Sequence, residues 1–330
     1  MGDAFLAYMI LWAAILAYFL LASIDFGTGF YHLMSWRHPP GEGVREAIRS
    51  YVNPRWEVTN VFLVLIVVSA AAFFPGLVSV LGTVLLLPVS LVAVLFILRG
   101  AFLVFDFYGG ERRLFATTYS LAGLLILPLL SVVLTLIISN PVTVQNGAPS
   151  FDILSPLSNP VTYVTAFLVF AGQILLSGVL AMAYDESPED REVYRNPVYA
   201  SMGTVAALGI AELILLRANA GYAFDKMLEL APVMVFAGLL FVLAGFLVWR
   251  GTRRLALYAF LLLAAVDSIA LLTFALAHFP YLIYPDITAG QMLAAPEMLT
   301  VLTPTLILGL LVVGPALLYL NYLFRSEKSY

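Results

Sequence analysis

The sequence contains no cysteine. Disulfides, thiolate metal sites and covalent attachment of a c-type haem through C-x-x-C-H are therefore excluded. Charged residues make up only 11% of the chain, against roughly 25% in an average soluble domain. The formal net charge is −4 and no basic stripe is present, so nucleic acid is not an expected partner. The first residues, MGDAFLAYMILWAAILAYFLLAS, lack the basic flank and small-residue cleavage site of a signal peptide. They are expected to remain as a first membrane helix. Fixed-period repeats, low-complexity tracts and a soluble domain are also missing.

What fills the chain instead is apolar sequence: 62% hydrophobic residues and a mean hydropathy of +0.99. An all-α integral membrane protein follows. Runs of about 20 apolar residues can cross a bilayer as helices, and nine are read here. They lie at about 5–34, 54–74, 80–107, 114–139, 160–184, 198–218, 232–249, 255–278 and 299–324. Breaks such as WRHPPGEG, FFPG and GGERR separate them. Prolines within spans, such as Pro88 and Pro128, are tolerated where neighbouring helices satisfy the freed backbone groups. With the N-terminus outside and the C-terminus cytoplasmic, thirteen of the sixteen Lys and Arg fall in inner segments. The positive-inside rule supports that orientation and the count of nine.

Few ionisable residues fall within the spans, and a charge there usually faces protein or a water-filled cavity. Asp25 is on the first helix, Arg99 and Asp106 are on the third, Glu212 is on the sixth and Asp267 on the eighth. Glu57 opens the second helix beside Trp56. At about 1.5 Å per residue, Asp25 and Arg99 both lie roughly 15–18 Å from the inner boundary. Asp106 is a few Å in and Glu57 sits at the mouth. This graded series could carry protons from the cytoplasm. Asp25 and Arg99 equally suit a buried ion pair that fixes helix packing, and both roles are compatible. Ser23, Gly27, Thr28 and Gly29 around Asp25 favour close helix contact.

Glu57 has a plainer reading as part of a helix start: Asn53 suits the N-cap, Pro54 the first helical position, and an acid the first turn. Asp106 reads as an interfacial charge. Glu212 and Asp267 either line a second cavity or bond neighbouring helices. His38 falls in a loop, and His32 and His278 near helix ends; they do not make a convincing haem-ligand set. The aromatics read mainly as lipid-facing bulk and interfacial belts.

Four stretches carry a family resemblance: SIDFGTGF (23–30), PRWEVTNVFLVLI (54–66), LRGAFLVFDFYG (98–109) and ALAHFPYLIYPDITAG (275–290). Together, in this order and over most of the chain, they resemble subunit II of the bacterial cytochrome bd-type quinol oxidases. Ala22 stands where the proteobacterial pattern has a first acid, and WEVTN replaces its WDGN. Both departures resemble the Gram-positive branch, and a proton route through that first acid is not implied. The resemblance implies nine helices in two four-helix bundles, here 1–139 and 160–278, plus a peripheral helix at 299–324. It implies a haem-bearing subunit I with two b-type haems and one haem d, where quinol is oxidised and oxygen reduced to water. No haem or metal would be ligated by the present chain. Its own task would be to complete the complex and to help bring protons or oxygen to the active site. Asp25, Trp56, Glu57, Arg99 and Asp106 are then the expected proton pathway or buried charge network. The setting would be a multi-pass position in a bacterial cell membrane, in contact with lipid and quinone. A small single-helix accessory subunit is left open. Two rival classes remain: an ion-coupled secondary transporter, for which related halves with broken helices are not seen, and a purely structural membrane scaffold.

Overall fold

The computed structural model describes residues 2–36, 56–110, 112–138, 142–145, 148–151, 155–184, 188–309 and 311. Thirteen helices are present among them: α1 (Gly2–Ser35), α2 (Trp56–Phe73), α3 (Pro75–Val84), α4 (Leu86–Tyr108), α5 (Arg113–Ile138), α6 (Ser155–Ser158), α7 (Pro160–Tyr184), α8 (Pro188–Asn219), α9 (Gly221–Glu229), α10 (Ala231–Arg250), α11 (Arg253–His278), α12 (Ala289–Met292) and α13 (296–309). Seven of them, α1, α4, α5, α7, α8, α10 and α11, are long and apolar enough to cross a membrane. The chain is a multi-pass membrane protein. Much of the expected span at 299–324 lies outside the described residues.

The second span is where structure and sequence reading part. The hydrophobic run continues past Phe74, but the segments Thr59–Phe73 and Pro75–Gly82 are bent by 115°. Pro75 has no N–H and restricts the residue before it to extended conformations; Phe74 accordingly leaves the helical region at φ −130°, ψ 63°. The third span therefore begins at Leu86 rather than near residue 80, and residues 80–84 belong to the bent helix α3. Helix α8 departs the other way, starting at Pro188, about ten residues before the apolar run. Two short antiparallel hairpins interrupt the helical pattern. Strands β1 (Val142–Gln145) and β2 (Ala148–Phe151) pair, as do β3 (Tyr281–Ile283) and β4 (Ile287–Thr288).

Helices α1 and α7 are the inner members. Helix α1 packs against α2, α5, α7 and α11, and α7 packs against α1, α5, α8 and α11. At one end, Tyr8 donates to the Ala275 carbonyl at 2.8 Å, and Trp12 meets Phe274 edge-on. The segment after α11 closes this end by satisfying carbonyls that helix termini leave open: Tyr284 N–H donates to Ile137 O at 3.0 Å, and Ala294 N–H to Phe73 O at 2.9 Å. Helices α10 and α11 join tightly. Gly251 adopts φ +70° as the cap of α10, and Thr252 accepts from Leu255 N–H to start α11.

Pro128 in the interior of α5 shows how a membrane proline is accommodated. Without its N–H, the Leu124 carbonyl four residues earlier loses its helical donor. The Gln173 side chain on α7 supplies one, Nε2 donating to Leu124 O at 2.8 Å. This cross-helix bond also fixes the registry of α5 and α7 beneath α1. Gln173→Leu is expected to leave a buried carbonyl unsatisfied and to lower stability by about 1–3 kcal/mol. A reduced midpoint of thermal denaturation of the assembled protein would register the loss.

Candidate functional site

The site is built where α1, α4 and α5 converge. Small residues allow it. A Cβ added at Gly29 would come within 3.0 Å of Ser120 Cα on α5. One added at Gly27 would lie 2.1 Å from the Gln173 carbonyl on α7, so neither glycine can be replaced without moving a helix. Gly123 on α5 makes room for the Arg99 side chain, its hypothetical Cβ falling 3.2 Å from Nε.

In that space Arg99 of α4 reaches Asp25 of α1, Nη2 donating to Oδ1 at 2.7 Å, with side chains only 5% and 3% exposed. Equal depth along two helices has become direct contact. The guanidinium also lies 4.7 Å from the centre of the Phe26 ring, a cation–π arrangement that strengthens when water is excluded. Thr28 donates to the Asp25 backbone carbonyl at 2.7 Å. Asp25, Thr28, Arg99, Tyr119 and Ser120 line a crevice too tight for a water molecule. Two charges removed from water cost several kcal/mol each unless geometry and additional polar contacts compensate. Arg99 and Asp25 have that geometry.

Asp106, expected as an interfacial charge, is near the end of α4 but is 2% exposed. It lies seven residues from Arg99, two turns along the same helix, so the two share a face. Trp56 and Glu57 open α2, but their side chains, like Asn53 and Pro54, lie outside the described residues. Glu212 on α8 meets Thr165 of α7 at 2.8 Å, which fits the reading of a bond between neighbouring helices. Asp267 is half-buried on α11.

Sequence reasoning set the histidines aside, and the structure gives them defined partners. His32 lies on α1 two turns from Asp25, 1% exposed, with Nδ1 2.6 Å from the Tyr119 hydroxyl. His278, fully buried, has Nδ1 against the Tyr222 hydroxyl and its ring stacked on Phe274. The spacing of His32 to Asp25 is legible in the sequence; the approach of Tyr119 from α5 is not, because an aromatic side chain suits a lipid-facing position as well as a buried one.

Neither ring fits as a haem ligand in this packing. At 1% and 0% exposure, each with Nδ1 against a tyrosine hydroxyl, both imidazoles are closed in by protein, whereas a porphyrin needs a large opening. Among the described residues there is also no group of three or more His, Cys, Asp or Glu that could hold a metal ion.

Three comparisons with known proteins point to one family. The family profile for cytochrome bd terminal oxidase subunit II matches residues 4–324. A protein of Bacillus subtilis (strain 168), provisionally named cytochrome bd menaquinol oxidase subunit II, is 28% identical over 340 residues, covering 99% of this chain and 97% of that protein. The solved structure of the bd oxidase from Geobacillus thermodenitrificans superposes with a TM-score of 0.85 and 30% identity, covering 98% of this chain and 99% of the matched one. A buried acid–arginine pair inside a helical membrane fold would by itself also suit a transporter, but a profile match over nearly the whole length decides the matter: the chain belongs to the cytochrome bd terminal oxidase subunit II family.

Proposed function

We propose that this chain is the haem-free half of a quinol:oxygen oxidoreductase and that its buried charges admit protons from the cytoplasm for the reduction of oxygen. Family membership makes it a subunit of a cytochrome bd-type quinol oxidase and implies a subunit I partner. In this reading, subunit I holds two b-type haems and one haem d, which supply the redox chemistry. The present chain spans a bacterial cell membrane nine times, N-terminus outside and C-terminus cytoplasmic. Residues 1–139 and 160–278 form two four-helix groups and 299–324 a peripheral helix. Its surroundings are lipid and quinone, and a small single-helix accessory subunit is left open.

The observation that carries the proton reading is the Asp25–Arg99 pair, enclosed at 2.7 Å in the half of the bundle that the positive-inside rule assigns to the cytoplasm. A carboxylate can accept and release a proton, and here the guanidinium that faces it at 2.7 Å supplies the opposite charge. Packing of the Tyr-bonded histidines supports leaving haem to the partner. Expressed without subunit I, the chain is expected to purify without a stoichiometric haem. An absorption spectrum with one tightly held haem per chain would overturn that part of the reading.

Glu57 supplies the entry test. As a helix-start charge alone it contributes about 0.3–1 kcal/mol, and Glu57→Gln would leave turnover nearly unchanged. As the mouth of a proton path it must exchange a proton, which glutamine cannot do. Oxygen uptake by the purified Glu57→Gln complex, normalised to haem, is expected to fall, with Glu57→Asp retaining activity. Wild-type turnover in the Gln variant would return Glu57 to the helix start.

A further inference from the structure

We propose that the turn between α10 and α11 is a binding site for the headgroup of an anionic phospholipid, held between Arg250 and Arg254. The proposal stands apart from the proton reading and uses only the membrane setting of the chain. The turn carries WRGTRR (249–254), with three arginines in five residues, and no Asp or Glu occurs anywhere from Leu230 to Val266. Every other basic segment that the positive-inside rule assigns to the inner side contains acids: Glu42 and Glu46 after the first span, Glu111 beside Arg112, Asp190 beside Arg191, and Glu327 beside Lys328. Here alone the sequence supplies positive charge without its opposite.

The fold keeps these charges at the surface. Arg250, Arg253 and Arg254 are all exposed. Arg253 serves the fold: its Nε donates to Ala183 O at 2.9 Å and ties the turn to the end of α7. Arg250 and Arg254 pair with no acid among the described residues. They face each other across the two-residue link Gly251–Thr252, which is tight because Gly251 takes φ +70° between helices that pack on one another. The Arg250 guanidinium carbon lies 5.1 Å from the centre of the Phe246 ring and 5.9 Å from that of Trp249. Stacking engages the face of the guanidinium and leaves its N–H edge for a phosphate, which that edge can hold with two hydrogen bonds.

The flanks of the turn fit a lipid rather than a soluble anion. Trp249 is 61% exposed and Tyr258 56%, and these are the residue types that settle at headgroup level. Phe246 on α10 and Leu261 on α11 are exposed one or two turns deeper, where acyl chains run. A phospholipid satisfies both parts, with its phosphate on the arginines and its chains along the helices. Net negative charge is required of it, because the cationic group of a zwitterionic headgroup would meet arginines that nothing else neutralises. Near an anionic lipid surface each arginine favours binding by about fivefold.

The test titrates the purified two-subunit complex in detergent with phosphatidylglycerol and, separately, with phosphatidylcholine, and follows bound lipid by native mass spectrometry. The tightest phosphatidylglycerol site is expected to weaken about 30-fold in Arg250→Gln with Arg254→Gln, while phosphatidylcholine binding stays as in the wild type. Arg112→Gln with Arg113→Gln makes the same change of charge at a turn that contains Glu111, and is expected to keep the site. Equal weakening in both double variants would show a diffuse response to net charge and overturn the proposal. Unchanged phosphatidylglycerol binding in the first variant would do the same. Prior addition of inorganic phosphate separates lipid from free anion: uptake of phosphatidylglycerol as before supports the lipid site, and blocked uptake overturns it. Release of subunit I from the first variant would assign the turn to a protein contact and also overturn it. If that variant is not produced, Arg254→Gln alone decides, with about fivefold weaker phosphatidylglycerol binding expected and wild-type binding contradicting the site.

Discussion

Arg99→Leu is expected to destabilise the assembled complex by about 3–5 kcal/mol, or to force Asp25 to bind a proton and remain neutral. The reason is the enclosure of the pair. With the side chains 5% and 3% exposed, water cannot replace the guanidinium, and the carboxylate that remains has lost its opposite charge. Leucine also forfeits the contact of the guanidinium with the Phe26 ring at 4.7 Å. The companion substitution separates charge from shape. Replacing both partners, Asp25→Leu with Arg99→Leu, removes the stranded charge, and apolar replacement of a buried ion pair is commonly neutral or stabilising by about 1–4 kcal/mol. Assembly and thermal stability of the double variant should therefore recover most of what the single variant loses. A double variant no more stable than Arg99→Leu would mean that the cost lies in packing rather than in an unpaired charge.

The contact between Asp25 and Arg99 was legible in the sequence because helical rise converts residue number into depth. Two groups of opposite charge at equal depth in an apolar medium have strong reason to meet. The glycines around Asp25 were legible for a similar reason: Gly27 and Gly29 sit where α7 and α5 come nearest. Azimuth around a helix is harder to read than depth. Nothing in the one-dimensional pattern turns Tyr119 toward His32 rather than toward lipid, since an aromatic side chain satisfies either environment. The bend at Phe74 was visible as a break at Pro75, but the apolar composition of α3 (PGLVSVLGTV) cannot be told from the start of a span. The first turns of α8 were hidden in the opposite sense, because their charged residues (PEDRE) carry no hydropathy signal. Glu212 illustrates a third limit. Its depth was readable, while its partner Thr165 lies on a different helix and emerges only from the packing of α7 on α8.

Whether the buried pair handles protons or only holds helices together is the central question, and the double variant separates the two. Asp25→Leu with Arg99→Leu is expected to assemble, because no charge is stranded, yet it has no carboxylate to accept a proton. The decisive measurement is oxygen uptake by this purified complex, normalised to its haem content. Loss of a positioned proton-transfer group typically costs on the order of 10²-fold or more, and a fall of that size with haem content intact is the predicted result. Turnover equal to that of the wild-type complex would contradict the account and reduce Asp25 and Arg99 to a packing pair.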